Sequence, residues 1–111
     1  MRQANLSRAK LVAASLDKTI LSQARLYETN LTQANLSKAD LKDTNLNHAN
    51  FSSANLSEAN LLGISVYQLN LNKANLTKAV LCGAKIEQGN LSGAKLTSAD
   101  LRGVNLNWSL D

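Results

Sequence analysis

Arg8, Glu28 and His48 stand 20 residues apart, and these three types can do chemistry together. A carboxylate beside an imidazole orients the ring and prepares it to act as a general base. That base needs a nucleophile to activate and a donor for the negative charge that develops. Neither is evident around His48, and an exposed ion pair accounts for the trio more simply. The chain has no Gly-rich phosphate loop, no C-x-x-C and no second histidine, so phosphate and metal motifs are missing too. The expectation is a protein that is not an enzyme, with no cofactor and no metal.

What would position such residues is a repeat. In ADLKDTNLNHANFSSANLSEANL, residues 39–61, a large apolar residue recurs every five positions. From Leu6 to Leu106 the 21 positions of this series hold 18 Leu plus Phe51, Val66 and Ile86. Two residues earlier, 14 of the 21 are Ala and three are Thr; between the two, 11 are Asn and two are Asp. The unit is A-N-L-x-x in one register throughout, with no insertion and hence no long loop for a lidded site.

Neither regular backbone structure fits that period. On a helix each step of five advances the Leu by about 140°, scattering the series around every side. On a continuous strand alternate leucines would face opposite ways. Within one unit, however, Ala and Leu share a face, so each pentad reads as a very short strand followed by a two-residue corner. Four right-angled corners close a square coil of 20 residues, and Gly63, Gly83 and Gly103 recur at that spacing, as do Asn30, Asn50, Asn70 and Asn90. Stacked coils bond through parallel backbone contacts, and about five coils give a rod of roughly 25 Å.

The stretches ANLSEANL, QANLSKADL and KANLTKAVL resemble the pentapeptide-repeat family, whose consensus is A(D/N)LXX, and the likeness runs over essentially the whole chain. It implies an all-β fold: a right-handed quadrilateral parallel β-helix, a solenoid of about five coils of four pentapeptides, here a single domain over 1–111. The family is especially abundant in photosynthetic bacteria. One branch protects DNA gyrase and topoisomerase IV by resembling B-form DNA in shape and charge.

Local expectations follow from the coil. The glycines suggest type II turns along their edge, with the Lys and Ser corners adopting turns without positive φ. The Asn30–Asn90 column is expected to form a ladder of amides bonded to one another. Ile64 and Leu69 are oversized for the Ala position, with Val66 beside Ile64 as a volume compensation or as neutral drift. Lys18, Lys38, Glu58 and Lys78 share a column, read as a solvated face with a local salt bridge.

The contact candidates are outward apolar residues: Leu62 under Cys82, Val80 beside them, and Ile20 farther along the same face. Tyr27 and Tyr67 lie two coils apart with Asn47 between them. Trp108 and Leu110, where the repeat breaks, are candidates for an end cap or an end-to-end homodimer contact.

The 12 Lys and Arg against 8 Asp and Glu give a net charge of +4. That is short of the clustered charge of a nucleic-acid binder, and it disfavours the DNA-mimic reading, since such a mimic needs acidic columns along the rod. The single cysteine, Cys82, forms no internal disulfide. No apolar run reaches the ~18 residues of a membrane span. MRQANLSRAK has no signal-peptide core, so the expected location is the cytoplasm, though a chain trimmed of a leader would read the same. The expected function is a structural or protein-interaction module with an unidentified protein partner; topoisomerase binding is the alternative.

Overall fold

The computed structural model describes residues 3–107. Parallel bridges between residues 20 apart run through the chain, from Asn5↔Arg25 and Lys10↔Asn30 to Val80↔Asp100 and Lys85↔Asn105. The backbone therefore returns above itself once every four pentads. The Cα extents are 28 × 22 × 21 Å, in keeping with the rod length expected from the repeat. Four faces result, identified below by their first outward residues: Asn5, Lys10, Ser15 and Ile20.

Residues 54–58 show why the pentad is a unit. Ala54 N–H donates to Phe51 O at 3.0 Å and closes the preceding corner. Asn55 N–H donates to Ala34 O, one coil back, at 2.9 Å. Leu56 N–H reaches Asn75 O, one coil forward, at 2.7 Å, and Glu58 N–H reaches Thr77 O at 2.9 Å. Only the Ser57 N–H has no backbone partner, and it donates to Asn55 Oδ1 at 3.0 Å. All five N–H groups are thus satisfied within the coil.

That last bond explains the Asn column. The side-chain oxygen accepts the N–H two residues on, an Asx turn that Asn and Asp can make and longer amides make poorly. The same bond forms at Asn30, Asn35, Asn50, Asn60, Asn70, Asn75 and Asn90, and at Asp40 and Asp100. This corrects the expected amide ladder: the Asn oxygens turn to their own corners rather than to the next coil. Amides do bond from coil to coil, but between glutamines, Gln3 to Gln23 at 2.9 Å and Gln68 to Gln88 at 3.1 Å.

The corners also differ from expectation. Positive φ occurs at the second residue of every described corner from Gln3 to Gly103, 21 in all and 17 of them not glycine, Lys38, Ser53, Glu58 and Ser98 among them. A left-handed L-residue costs about 1–2 kcal/mol. The geometry enforces it, because closing the corner must also aim that residue's N–H at the next coil. The 17 are Gln, Arg, Ala, Lys, Glu, Asp, His and Ser; none is β-branched, although Val12, Thr32, Thr77 and Thr97 occupy the position just before.

Inside, the Leu and Ala columns form one apolar core from Leu21 to Leu91. Burying each Leu contributes roughly 1.5–3 kcal/mol. Two threonines in the Ala column stay buried by donating their hydroxyls to carbonyls, Thr29 to Leu6 O and Thr44 to Leu41 O, both at 2.7 Å. Ile64, Val66 and Leu69 are all buried. Here the backbone forms its two regular strands, β1 (Ser65–Tyr67) and β2 (Lys85–Glu87), paired in parallel through Val66↔Ile86. The corners after these strands, at Tyr67–Gln68 and Glu87–Gln88, share one form, although the Ala position that follows holds Leu69 in one and Gly89 in the other.

Substitutions at two positions test these rules by thermal melts. Lys38→Gly, which relieves the left-handed residue, should match or exceed wild type, while Lys38→Ile should fall below it by about 1 kcal/mol or more. Lys95→Asn, which extends the Asn35–Asn75 column and caps the Thr97 N–H, should stabilise by about 0.5–1 kcal/mol.

Candidate protein-contact faces

Two clusters of outward side chains stand out, and each is positioned by the corners. The first runs along the corner after the Asn5 face. Arg8 Nε donates to Glu28 Oε1 at 2.8 Å, and the pair holds the Arg8 guanidinium pKa above its ordinary value, through the hydrogen bond first and the opposite charge second. The same guanidinium lies 5.8 Å from the centre of the Tyr27 ring, within cation–π range. Tyr27 meets His48 edge-on with centroids 5.6 Å apart, and His48 meets Tyr67 in the same way at 5.6 Å. Arg8, Tyr27, His48 and Tyr67 thus make a continuous strip across four coils.

The strip resolves the Arg8, Glu28, His48 trio. Glu28 is engaged by Arg8, and the imidazole sits between two phenol rings instead of on the carboxylate, so the acid–base pairing suggested by the spacing is not built. It also corrects the expected role of Asn47. His48 bridges the two tyrosines, while Asn47 Oδ1 accepts the Tyr67 backbone N–H at 2.8 Å. That bond serves a corner whose own Asn position is Ser65. Sequence reading had both tyrosines but missed the ring contacts, because His48 occupies the second corner position and the tyrosines the first. Left-handed backbone at 48 is what turns the imidazole toward them.

The second cluster lies where the Ile20 face meets its corner. Leu61 N–H donates to Val80 O at 2.7 Å and Gly63 N–H to Cys82 O at 3.0 Å, which sets Leu62 directly beneath Cys82 with Val80 alongside. All three are half-buried. Ile20 is 46% exposed but is not part of this group: Asp40 and Asn60 stand between it and Val80 in the bridge order. Trp108 and Leu110 lie outside the described residues.

Asp100 and Arg102 border the second cluster. Arg102 donates twice to the Asp100 carboxylate, at 2.9 and 2.7 Å. These side-chain bonds, then the Arg102 backbone N–H, hold the Asp100 pKa below its ordinary value. Among the described residues this pair and Arg8–Glu28 are the ion pairs formed, so the salt bridge expected at Glu58 is not made. Its lysine neighbours at 38 and 78 point their charges into water, where pairing gains little. No group of three or more His, Cys, Asp or Glu that could hold a metal ion is found among the described residues. Nor is any helix among them long and apolar enough to cross a membrane.

A depressed carboxylate adds stability above its unfolded pKa and loses it as pH falls through the folded value. The Asp100–Arg102 pair therefore weakens on acidification. Carboxyl-carbon NMR should show the Asp100 midpoint rising in Arg102→Ala, with the coil otherwise unchanged.

Comparison with known proteins returns the same architecture. The sequence pattern of pentapeptide repeats matches residues 4–43, 24–63, 34–72 and 74–110, in eight copies. The pentapeptide repeat protein Rfr23 from the cyanobacterium Cyanothece is 32% identical, with a TM-score of 0.60 over 87% of this chain and 63% of that one. A pentapeptide repeat protein from the Arabidopsis thaliana thylakoid lumen is 28% identical, with a TM-score of 0.53 over 87% of this chain and 61% of that one. QnrB1, a plasmid-mediated fluoroquinolone resistance protein, shares the fold at 21% identity, with a TM-score of 0.60 over 93% of this chain and 65% of that one. The chain therefore spans less than two thirds of the length of these solved structures. No curated protein matches it in sequence. The five-residue period, the 20-residue bridges and the sequence match lead to one conclusion: the chain belongs to the pentapeptide repeat family.

Proposed function

We propose that this chain is a non-enzymatic interaction module: a right-handed, four-sided coil of about five turns that offers flat columns of side chains to a protein partner. The observation that carries this reading is the internal bonding of the pentad. With each N–H of residues 54–58 satisfied inside the coil, the outward residues project from a backbone that has no ordering left to do on binding. Side chains presented this way lose little entropy when a partner arrives.

Two faces suit such a role for different reasons. The Arg8–Tyr27–His48–Tyr67 strip offers aromatic and guanidinium groups, types that dominate binding energy at protein interfaces, and Tyr67 is 38% exposed. The Leu62–Val80–Cys82 cluster offers a small apolar centre rimmed by Asp100 and Arg102. Topoisomerase binding by DNA mimicry has less support. On the Ile20 face Asp40 and Asp100 are separated by Asn60 and Val80, which interrupts the acidic column a mimic requires, and the likeness to QnrB1 is one of fold.

Affinity capture from the source organism's lysate tests the reading with three baits. Wild type should retain a specific partner. Leu62→Lys/Val80→Lys or Tyr27→Ala/Tyr67→Ala should lose it by tenfold or more, since two interface anchors together carry several kcal/mol. Equal recovery by all three folded baits, or recovery by none, would count against contact through these faces.

A further inference from the structure

Tyr27 and Tyr67 occupy one corner column two coils apart, a rise of roughly 9.6 Å at the ~4.8 Å spacing of paired strands. Each ring centre lies 5.6 Å from that of His48, so the two phenols are no more than twice that distance apart. Asn47, between them in the column, turns its short side chain to the Tyr67 backbone N–H. Neither phenol hydroxyl has a hydrogen-bond partner among the described residues.

The spacing selects among the backbones a partner could offer. A polyproline II segment has three residues per turn and rises ~3.1 Å per residue, so residues i and i+3 share a face about 9.3 Å apart. That matches a rise of two coils. An extended strand covers a similar distance in three residues, but it sends i and i+3 to opposite faces. A helix sets i and i+7 on one face about 10.5 Å apart, and its carbonyls are already bonded within it. Polyproline carbonyls are not, so they supply acceptors for the two phenol hydroxyls.

Charge gives the strip a direction. Arg8 donates only its Nε to Glu28, and its side chain is 75% exposed, which leaves its terminal nitrogens for another acceptor. Arg25, two residues before Tyr27, forms no ion pair among the described residues. One coil beyond Tyr67, Lys85 and Glu87 carry opposite charges. We infer that the strip is a docking edge for a proline-rich segment in the polyproline II conformation. Its residues i and i+3 pack on Tyr27 and Tyr67, and an acidic residue at the Tyr27 end pairs with Arg8. This rests on the reading of the chain as a protein-interaction module and gives one of its faces a class of partner.

The test is a titration of the folded chain with a peptide of two aspartates followed by nine prolines, followed by NMR at the Tyr27, His48 and Tyr67 rings. These signals should shift and saturate. Gly and Ser in place of the prolines should abolish saturation, and lysines in place of the aspartates should weaken binding several-fold. Tyr27→Ala or Tyr67→Ala should weaken it roughly tenfold or more, and Arg8→Ala several-fold for the acidic peptide alone. Leu62→Lys/Val80→Lys should leave it unchanged. If loss of a ring disturbs the coil, Tyr67→Phe, which keeps the ring and removes the hydroxyl, should still weaken binding. No saturation at millimolar peptide overturns the proposal, as does equal binding of the Gly and Ser peptide or an affinity that none of the tyrosine variants changes. Should the peptide fail while a lysate partner is still lost from the Tyr27→Ala/Tyr67→Ala bait, the proline-rich occupant is overturned and contact through the strip stands.

Discussion

The parallel hydrogen bonds between residues 20 apart are the constraint from which the rest of the coil follows. They take the N–H of the Asn, Leu and second corner positions and leave two N–H groups per pentad to be satisfied locally. One closes the corner; the other requires a side-chain oxygen two residues back. The consensus is therefore a set of solutions to a hydrogen-bonding problem as much as a hydrophobic pattern. Leu and Ala fill the interior, Asn or Asp completes the backbone, and the two remaining positions answer to the corner alone.

Those two positions have different rules. The first accepts Tyr, Val, Thr and Leu because its backbone is ordinary. The second bears left-handed φ and, at every described corner, holds glycine or a residue not branched at Cβ. Strain of about 1–2 kcal/mol at each of 17 corners persists because neighbouring coils over-determine the backbone, as in other quasi-one-dimensional repeats. The same left-handed corner aims His48 between Tyr27 and Tyr67, so the aromatic strip is a product of the corner rule and of ring chemistry together.

Much of this was legible in the sequence. The period of five, the inward Ala and Leu columns and the 20-residue return can be read from residues 39–61 and the recurrence of Gly63, Gly83 and Gly103. The corner conformation could be misread because glycine is the usual mark of positive φ, and Lys38 or Glu58 gives no such mark. The usable signal was what the second corner position lacks: β-branched residues are frequent one place earlier and absent there. The Asn column was misread for a similar reason. Identical amides one coil apart suggest a ladder, but Asn55 Oδ1 accepts the Ser57 N–H of its own corner at 3.0 Å. Side-chain contacts between columns, such as Arg8 over Tyr27, depend on rotamers that spacing does not set.

The uniform 20-residue return has a bearing on how such a chain can change its length. Replacing an outward residue alters one site on one wall. Inserting a single residue moves every later Leu out of its column and turns every later Asn away from its corner. Five inserted residues restore the pattern but rotate everything above by a quarter turn, which brings different walls into line. Only whole storeys of 20 residues preserve each wall from bottom to top. Growth and shortening by complete storeys, with free variation of the wall chemistry between them, is the mode of divergence this architecture leaves open.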